Sequence, residues 1–497
     1  MSVDTPAWVR DAVFYQIFPD RFASSDRVTK PGWLEPWDSP PTVHGFKGGD
    51  LVGIAERLDH IADLGATALY LTPIFSSASN HRYHTYDYLT VDPLLGGDAG
   101  LRTLLDAAHG RGMRVVLDGV FNHAGRGFWP FHHVLENGAD SPYRNWFHLD
   151  PSVLDGSRPI RAYPKPGTPP SDFGYKAWWS LPALPKLNTD EPLVREYLFG
   201  VAEHWLRFGI DGWRLDVPAE IDDEAFWQEF RVRCRAIRPD AYLVGEIWDL
   251  APEWLRGDRF DALMNYPLTE AILGFAGGPS LDMDIVRGHH EYRRTMAPLD
   301  GPAFAARLLE TADAYDPDVV AVQLNLLSSH DAPRMRTVLG GDDVAVRLAV
   351  LIQMTLPGAP CVYYGDEIGL AGGNDPACRG AFPWDTDRWD VALRDDIRDA
   401  IRLRAGEPAL RHGALTVLAA DGDTVVYERR LDERTMLIAV NGGVGAASIR
   451  VRPSHGTTAQ ATDRFGIGGT RWTVEPDGSV ELALDGRSGR VLELVPS

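Results

Sequence analysis

Four short segments of the sequence end in polar and charged residues at places where a buried strand would be expected to stay apolar. They read DGVFNH from Asp118, GWRLD ending at Asp216, GEIW around Glu246, and SSHD ending at Asp331. Carboxyl groups serve enzymes as acids, bases and nucleophiles, so these segments are the first candidates for chemistry. The elements that carry them must therefore bring three or four carboxyl groups to one place.

The pattern along the chain predicts such an arrangement. Short runs rich in β-branched and aromatic residues alternate with longer stretches of helical periodicity, which indicates βαβ units and a parallel sheet. The count of eight runs predicts a (β/α)8 TIM barrel, in which functional groups lie at the C-terminal ends of the strands. The predicted strands are 13–19, 68–74, 114–120, 209–217, 242–248, 260–266, 324–331 and 360–366, and the clearest helices are 51–64, 101–111, 192–208 and 224–237.

Two regions break the alternation. Residues 124–187 follow the third strand, are rich in proline, include Trp146, Trp178 and Trp179, and hold no clear helix. A long insertion of this kind in a compact domain is usually functional. After about residue 405, short extended segments separated by Asp-Gly and Gly-Gly turns predict an antiparallel β-domain. The predicted organisation is a barrel from 1–123 and 188–405, an inserted subdomain at 124–187, and a C-terminal β-domain at 406–497.

Composition excludes several classes of protein. The 497 residues carry 49 Lys and Arg against 70 Asp and Glu, a net charge of −21 that argues against nucleic acid as a partner. Fifteen Trp, 16 Tyr and 19 Phe are too many aromatic residues for a disordered chain. The three cysteines form no CxxC pair, and neither a signal peptide nor an uninterrupted apolar span of about 20 residues is visible. The sequence predicts a cytoplasmic protein with no membrane partner.

In their order along the chain, the four polar segments resemble the signature regions of the α-amylase family of glycoside hydrolases (family 13). The resemblance covers nearly the whole chain, and the four motifs together are very specific. It implies that Asp216 is the nucleophile, Glu246 the general acid/base and Asp331 the stabiliser of the transition state. Asp118 is expected to brace the site.

Cleavage of a glycosidic bond with retention needs a carboxylate and a carboxylic acid about 5–5.5 Å apart. Under the resemblance, Glu246 holds a raised pKa while Asp216 stays ionised. Arg214 is two residues before Asp216, on the same face of the strand, where its charge favours the carboxylate. His123 and His330 are expected to donate hydrogen bonds to the sugar.

Smaller segments narrow the branch of the family. Leu184-Pro-Lys-Leu-Asn188 resembles the marker of the neopullulanase, cyclomaltodextrinase and maltogenic amylase branch. The resemblance implies further substrate-binding residues, and His84 departs from the Asp that often follows the stacking tyrosine in this branch. The expected contacts are stacking by Tyr83 and Trp248, hydroxyl binding by Asp375 and Arg379, and a branch-specific site at Glu220.

Other features of that branch are not expected here. The first strand begins near Val13, so the extra N-terminal domain of the branch is expected to be absent, and the choice between monomer and homodimer stays open. In the first βα loop, Arg27 and Lys30 accompany Asp26, and two cations disfavour a Ca²⁺ site there. Asn122 is a possible calcium ligand elsewhere; no cofactor is expected to be required.

The function predicted from these features is hydrolysis of α-1,4 bonds in maltooligosaccharides, cyclodextrins or starch-like glucans through a covalent glycosyl-enzyme, with transglycosylation a natural side reaction. An alternative is a glucosidase or isomerase acting on short sugars such as isomaltose, sucrose or trehalose. A remote alternative is a non-catalytic glycan-binding or transporter-ancillary protein. Linkage preference and endo or exo action depend on loop shapes that the sequence does not reveal.

Overall fold

The computed structural model describes residues 3–454, 458–465, 471–475 and 477–496. Eight parallel strands pair in a ring, each in register with its neighbour, and a bridge between Met264 and Leu324 closes it. All eight predicted strands and the (β/α)8 barrel are confirmed. In ring order the strands are β1 (Phe14–Ile17), β2 (Ala68–Leu71), β5 (Arg114–Gly119), β6 (Gly212–Leu215), β7 (Tyr242–Gly245), β8 (Ala262–Leu263), β9 (Leu324–Leu326) and β10 (Ala359–Tyr363).

The barrel strands are short and buried on both faces, as expected of a parallel sheet covered by helices. Side chains that point inward, among them Phe14, Tyr70, Val116 and Tyr242, form a core of their own inside the ring. Those that point outward join a much larger core under the helices. The interior of the barrel is therefore filled, and a substrate can reach only its rim.

The helices around the barrel follow the predicted pattern with one interruption. The predicted helices 192–208 and 224–237 have the observed bounds, the predicted helix 101–111 is observed at Gly97–His109, and 51–64 is divided at Arg57. Asp50 caps the first piece by accepting from the backbone N–H of Gly53. The helices are α1 (Ala7–Asp11), α2 (Pro19–Phe22), α3 (Leu51–Glu56), α4 (Leu58–Leu64), α5 (Gly97–His109), α6 (Trp129–Asn137), α7 (Pro151–Leu154), α8 (Pro192–Phe208), α9 (Glu224–Ile237), α10 (Tyr266–Gly277), α11 (Met283–Gly288), α12 (Tyr292–Thr295), α13 (Gly301–Asp313), α14 (Pro317–Val320), α15 (Met335–Val338), α16 (Asp343–Thr355), α17 (Val391–Gly406) and α18 (Pro408–His412).

The inserted region is more regular than predicted. The expectation that 124–187 contains no helix is wrong, because α6 and the short α7 lie within it. Pro130 opens α6 near its first position, where a missing N–H costs nothing, so this proline starts a helix. Phe131 of α6 packs against Phe147 and Tyr175, with ring centroids 4.9 Å apart in both pairs. Ahead of this region, β3 (Phe75–Ser77) and β4 (Thr85–Val91) form an antiparallel ribbon.

The end of the chain folds as predicted into antiparallel sheets. Four strands flank β13 and β18 in one sheet, and a separate pair, β14 and β17, packs on it around an apolar core that includes Leu437 and Leu482. The three cysteines are buried and unpaired. In the described residues, no helix combines the length and apolar character needed to cross a membrane. The strands are β11 (Ala414–Asp421), β12 (Thr424–Leu431), β13 (Arg434–Asn441), β14 (Ala447–Val451), β15 (Thr458–Asp463), β16 (Arg471–Thr473), β17 (Val480–Leu484) and β18 (Ser488–Pro496).

Candidate active site

A fully buried arginine organises the carboxyl groups at the C-terminal rim of the barrel. Arg214 Nη1 lies 3.1 Å from Oδ1 of Asp216 and 2.8 Å from Oδ1 of Asp118. Its other nitrogen, Nη2, lies 2.7 Å from Oε2 of Glu246 and 4.0 Å from Oδ2 of Asp331. The four predicted segments thus converge on one guanidinium, as their places at the ends of β5, β6, β7 and β9 require.

Glu246 is held at both carboxyl oxygens. Besides the contact with Arg214, Oε2 accepts from the backbone N–H of Val217 at 3.2 Å, and Oε1 accepts from the indole N–H of Trp248 at 3.2 Å. Val217 has φ = +36°, a left-handed conformation that is strained for a β-branched residue. The strained turn after β6 therefore aims a backbone donor at Glu246.

Asp216 differs from Glu246 in its free oxygen. Its Oδ1 faces Arg214, whereas Oδ2 is buried and accepts no hydrogen bond from the described residues. Burial raises the pKa of Asp216 well above its usual value and also raises that of Glu246, with Arg214 opposing both shifts. Because the two carboxyls interact, their titration belongs to the pair, and the assignment of the ionised form to Asp216 stays a prediction.

Asp331 stays ionised because of its neighbours. Although burial raises its pKa, His330 and Arg379 lower it below the usual range. His330 Nε2 lies 2.9 Å from Oδ2 of Asp331, and Arg379 Nη2 lies 3.1 Å from Oδ1. The amide of Gln16 contacts His330 Nδ1 at 2.9 Å, which leaves Nε2 as the N–H that faces Asp331.

Tyr83 connects this group to Asp118. Its ring stacks on His330, with centroids 5.5 Å apart and planes 3° apart, and its hydroxyl also contacts the imidazole. The same hydroxyl donates to Oδ2 of Asp118 at 2.9 Å, and Tyr70 donates to that oxygen at the same distance. With these donors and Arg214, the Asp118 carboxylate is fully occupied, so it braces the site as expected.

The pair Asp375 and Arg379 is more constrained than the sequence suggests. Arg379 Nη1 lies 2.9 Å from Asp375, Nε donates to the backbone carbonyl of His330 at 2.8 Å, and Nη2 contacts Asp331. Arg379 is almost buried, so most of its N–H groups contact acceptors within the protein. Asp375 lies at the surface of the cleft with about half of its side chain exposed.

A cleft of about 770 Å³ opens above these groups. Its lining includes the three predicted catalytic carboxyls and most of the predicted binding residues, among them Tyr83. Three predicted binding residues lie behind its surface: Arg214, His123 and His330. Glu220, on the rim, is tied to the insertion because Lys186 Nζ donates to its backbone carbonyl at 2.6 Å. Trp248 has one face covered by Tyr266, with ring centroids 3.5 Å apart.

The insertion contributes Trp178 and Trp179, which the sequence did not assign to the site, to an aromatic column. His123, Trp178 and Trp179 stack in parallel, with successive centroids 4.8 and 5.0 Å apart. His290 meets the edge of this column at Trp179, 5.3 Å away. The consecutive tryptophans were the available signal, but only the fold shows that they face the α11–α12 loop across the cleft.

His123 belongs to this column, and Asn122 is its neighbour in the chain. Burial lowers the pKa of His123 to about 3, so the ring is neutral, and its Nε2 has no partner among the described residues. Asn122 Nδ2 contacts His123 Nδ1 at 3.3 Å, and no carboxylate is among its hydrogen-bond partners. Within the described ranges, no group of three His, Cys, Asp or Glu side chains is arranged to hold a metal ion. Asn122 as a calcium ligand stays a prediction.

In the first βα loop, a lysine supplies the local cation. Lys30 Nζ lies 2.7 Å from Oδ2 of the buried Asp50 and donates to the carbonyl of Leu94 at 3.0 Å. Asp50 also accepts from the backbone N–H groups of Ser25 and Gly53. An ammonium group therefore neutralises this carboxylate.

A parallel barrel whose rim carries paired carboxyls in an open cleft is the arrangement found in glycoside hydrolases of the barrel class. The profile of the α-amylase catalytic domain matches residues 16–392, and the chain belongs to the α-amylase family, glycoside hydrolase family 13. The resemblance inferred from the four segments is thereby confirmed.

Similar proteins agree with the branch. A cyclomaltodextrinase of Geobacillus thermopakistaniensis is 44% identical over 448 residues, which are 89% of this chain and 71% of that protein. The native debranching enzyme of Nostoc punctiforme is 45% identical, with a TM-score of 0.88 over 99% of this chain and 100% of that one. The cyclic α-maltosyl-(1→6)-maltose hydrolase of Arthrobacter globiformis, in complex with that sugar, is 38% identical, with a TM-score of 0.85. The match covers 99% of this chain and 100% of that one.

Proposed function

We propose that this enzyme hydrolyses α-1,4-glucosidic bonds of maltooligosaccharides and cyclodextrins through a covalent glycosyl-enzyme. The observation that carries this proposal is the contrast between the two central carboxyls. Oδ2 of Asp216 is buried beside the cleft without a partner among the described residues, whereas both oxygens of Glu246 are held by donors. A free carboxylate oxygen suits a nucleophile, and a fixed carboxyl suits proton transfer.

In the first step, Oδ2 of Asp216 attacks the anomeric carbon while Glu246 gives its proton to the departing glycosidic oxygen. The sugar becomes covalently bound to Asp216, and the leaving glucan departs with a new hydroxyl group. Arg214 stabilises the negative charges before and after the transfer because it contacts both carboxyls. Asp331 is held by His330 and Arg379, and we assign it the sugar hydroxyls as the ring flattens.

In the second step, Glu246, now a carboxylate, removes a proton from water, and the oxygen of that water displaces Asp216 from the anomeric carbon. The configuration is retained after two inversions. A sugar hydroxyl that replaces water gives transglycosylation by the same route. The names of the relatives support α-glucans as substrates, including a cyclic glucan with α-1,6 links.

The experiment is a product profile from purified enzyme supplied in parallel with β-cyclodextrin, pullulan and soluble starch, analysed by chromatography. Cleavage of the ring ahead of starch supports the proposal. Rapid loss of starch with an intact ring contradicts the cyclodextrin preference, and three untouched glucans favour a glucosidase or isomerase of short sugars. Proton NMR during the reaction detects the α-anomer first if configuration is retained.

Asp216→Asn is the matched test of the nucleophile. The variant keeps the size of the side chain but lowers its nucleophilicity, so activity should fall by several orders of magnitude. Asp222→Asn is the control because Asp222 is a nearby exposed carboxylate outside the cleft. Equal activity of Asp216→Asn and the wild type would rule out the assigned nucleophile.

A further inference from the structure

A second cavity of about 390 Å³ adjoins the active-site cleft. His81 and His84 line both cavities, so the two cavities adjoin at these two rings. The rings meet edge to face, with centroids 5.0 Å apart, and the His81 ring lies 5.7 Å from that of Tyr83. The second cavity, here called the side chamber, is therefore next to the tyrosine that contacts Asp118 and His330.

The polar walls of the side chamber are free to bind a ligand. Neither the ring nitrogens of His44 and His84 nor the hydroxyl of Tyr86 are hydrogen-bonded to any residue that the structure describes. Arg126 is only partly engaged: Nη1 donates to the carbonyl of Ala162 at 2.8 Å, and the guanidinium lies 4.1 Å from the ring centroid of Tyr163. Uncommitted donors and acceptors beside an aromatic ring are what a hydroxylated ligand needs.

Two glycines, one on each side of Arg126, allow this loop to approach the other wall of the chamber closely. A Cβ at Gly127 would lie 2.5 Å from Cε1 of Tyr86, and one at Gly125 would lie 2.5 Å from the backbone carbonyl oxygen of His84. No larger residue could bring this loop so close to the ribbon formed by β3 and β4. The approach fixes Tyr86 and Arg126 in the wall of the chamber.

Two of the imidazoles in the walls are uncharged. Burial and the nearby groups Arg126 and His44 lower the pKa of His84 to about 4, so its ring is uncharged at neutral pH. Burial likewise lowers the pKa of His81 well below its usual value. Neutral imidazoles can both donate to and accept from hydroxyl groups, which matches a sugar.

From the shared lining and the unoccupied polar groups, we infer that the side chamber binds one more glucosyl residue of the same substrate, the next along its chain. This inference rests on the proposed function, since it assigns part of the substrate to a place outside the catalytic cleft. A volume of 390 Å³ lies within the range of about 300–1,000 Å³ for small-ligand sites. The chamber thus makes the enzyme sensitive to the length of its glucan.

The experiment fills the chamber without changing the catalytic groups. Ala78 is exposed, lines the chamber and is absent from the lining of the cleft, so Ala78→Trp adds bulk there, and Ala78→Ser is the matched control. We expect wild type and Ala78→Ser to show a rise in kcat/KM at one step of a ladder from maltotriose to maltoheptaose. Ala78→Trp should lose at least fivefold at and above that step while maltotriose is cleaved as before.

A ladder that Ala78→Trp leaves unchanged, or lowers equally at all lengths with an unaltered Tm, would overturn the inference. If Ala78→Trp does not fold, Tyr86→Phe replaces it, because loss of a hydroxyl without a protein partner should weaken only the longer sugars, by about twofold to tenfold. Calorimetric titration with maltohexaose separates this inference from the proposed function. Weaker binding to Ala78→Trp than to wild type supports the chamber even without turnover, and equal binding overturns it.

Discussion

Trp248 donates its indole N–H to Oε1 of Glu246 at 3.2 Å, so this tryptophan holds the carboxyl group that we assign as acid. The sequence suggested a stacking platform for the leaving sugar, but Tyr266 covers one face of the indole. The fixed edge of the ring therefore gives Trp248 a positioning role in addition to any contact with substrate.

Replacement of Trp248 by Phe should separate these two roles. Phe keeps a ring against Tyr266 but lacks the N–H, so kcat should fall about threefold to tenfold, the value of one hydrogen bond. A donor to a carboxylate favours its charged form and lowers its pKa, so loss of the donor raises the pKa of Glu246. The alkaline limb of the kcat/KM profile, where the acid loses its proton, should therefore move to higher pH.

The pH profile distinguishes this role from simple packing. Trp248→Phe with lower activity but an unmoved alkaline limb would contradict the hydrogen-bond role. Trp254→Phe is the control, because Trp254 stacks on Phe260 away from the cleft and should leave the profile unchanged.

Removal of Arg214 should destabilise the protein as well as inactivate it. Arg214→Met leaves the buried carboxyls of Asp118, Asp216 and Glu246 without their shared cation, and breaking a buried charge pair costs about 3–5 kcal/mol. Urea unfolding at pH 7 measures the loss in the free energy of unfolding. Arg450→Met, an exposed arginine of β14, should change it by less than about 1 kcal/mol; equal losses in the two variants would contradict the prediction.

Glu270 should make stability depend on pH. Burial raises its pKa to about 7 in the folded protein, although its hydrogen bond with Thr295 opposes the shift. The unfolded value is about 4.3, so the native state binds more protons between these values. Stability therefore falls as the pH rises from about 4.3 to 7, and the loss persists above pH 7.

Glu270→Gln removes this titration. As the pH rises from 4.5 to 7, the free energy of unfolding of the variant should increase relative to that of wild type, by an amount on the order of 1–3 kcal/mol. Above pH 7 the difference between the two proteins should stay constant. Denaturant titrations at several pH values measure it, with Glu310→Gln as the control because Glu310 is an exposed acid on the adjacent α13. Parallel curves for Glu270→Gln and wild type would contradict the prediction.

Lys30 should stabilise the first βα loop through Asp50. Lys30→Met removes the cation from a carboxylate with no exposed surface, so the free energy of unfolding should fall by about 1–3 kcal/mol. Lys165→Met, at an exposed lysine, provides the comparison. Because the cation is part of the chain, EDTA should not change the wild-type Tm, and a fall in Tm on chelation would contradict this assignment.

Much of the architecture was already predictable from local sequence. Each barrel strand is a short apolar run, and helices such as 192–208 have a proline at the start, a glycine just after the end and a repeating apolar face. The helix α6 was missed because its proline and aromatic residues occur in loops as often as in helices. Its stability comes from Phe131 against Phe147 and Tyr175, contacts that no local pattern contains.

The candidate site divides in the same way. The sequence by itself determined which carboxyls stand at strand ends, because that depends only on the alternation of strand and helix and on neighbouring residue types. Only the tertiary structure decided that one oxygen of Asp216 has no partner among the described residues and that Arg379 contacts Asp331. It also decided that a second cavity adjoins the cleft at His81 and His84. These properties depend on distances between residues far apart in the chain, and such distances are set by packing of the whole barrel and its insertion.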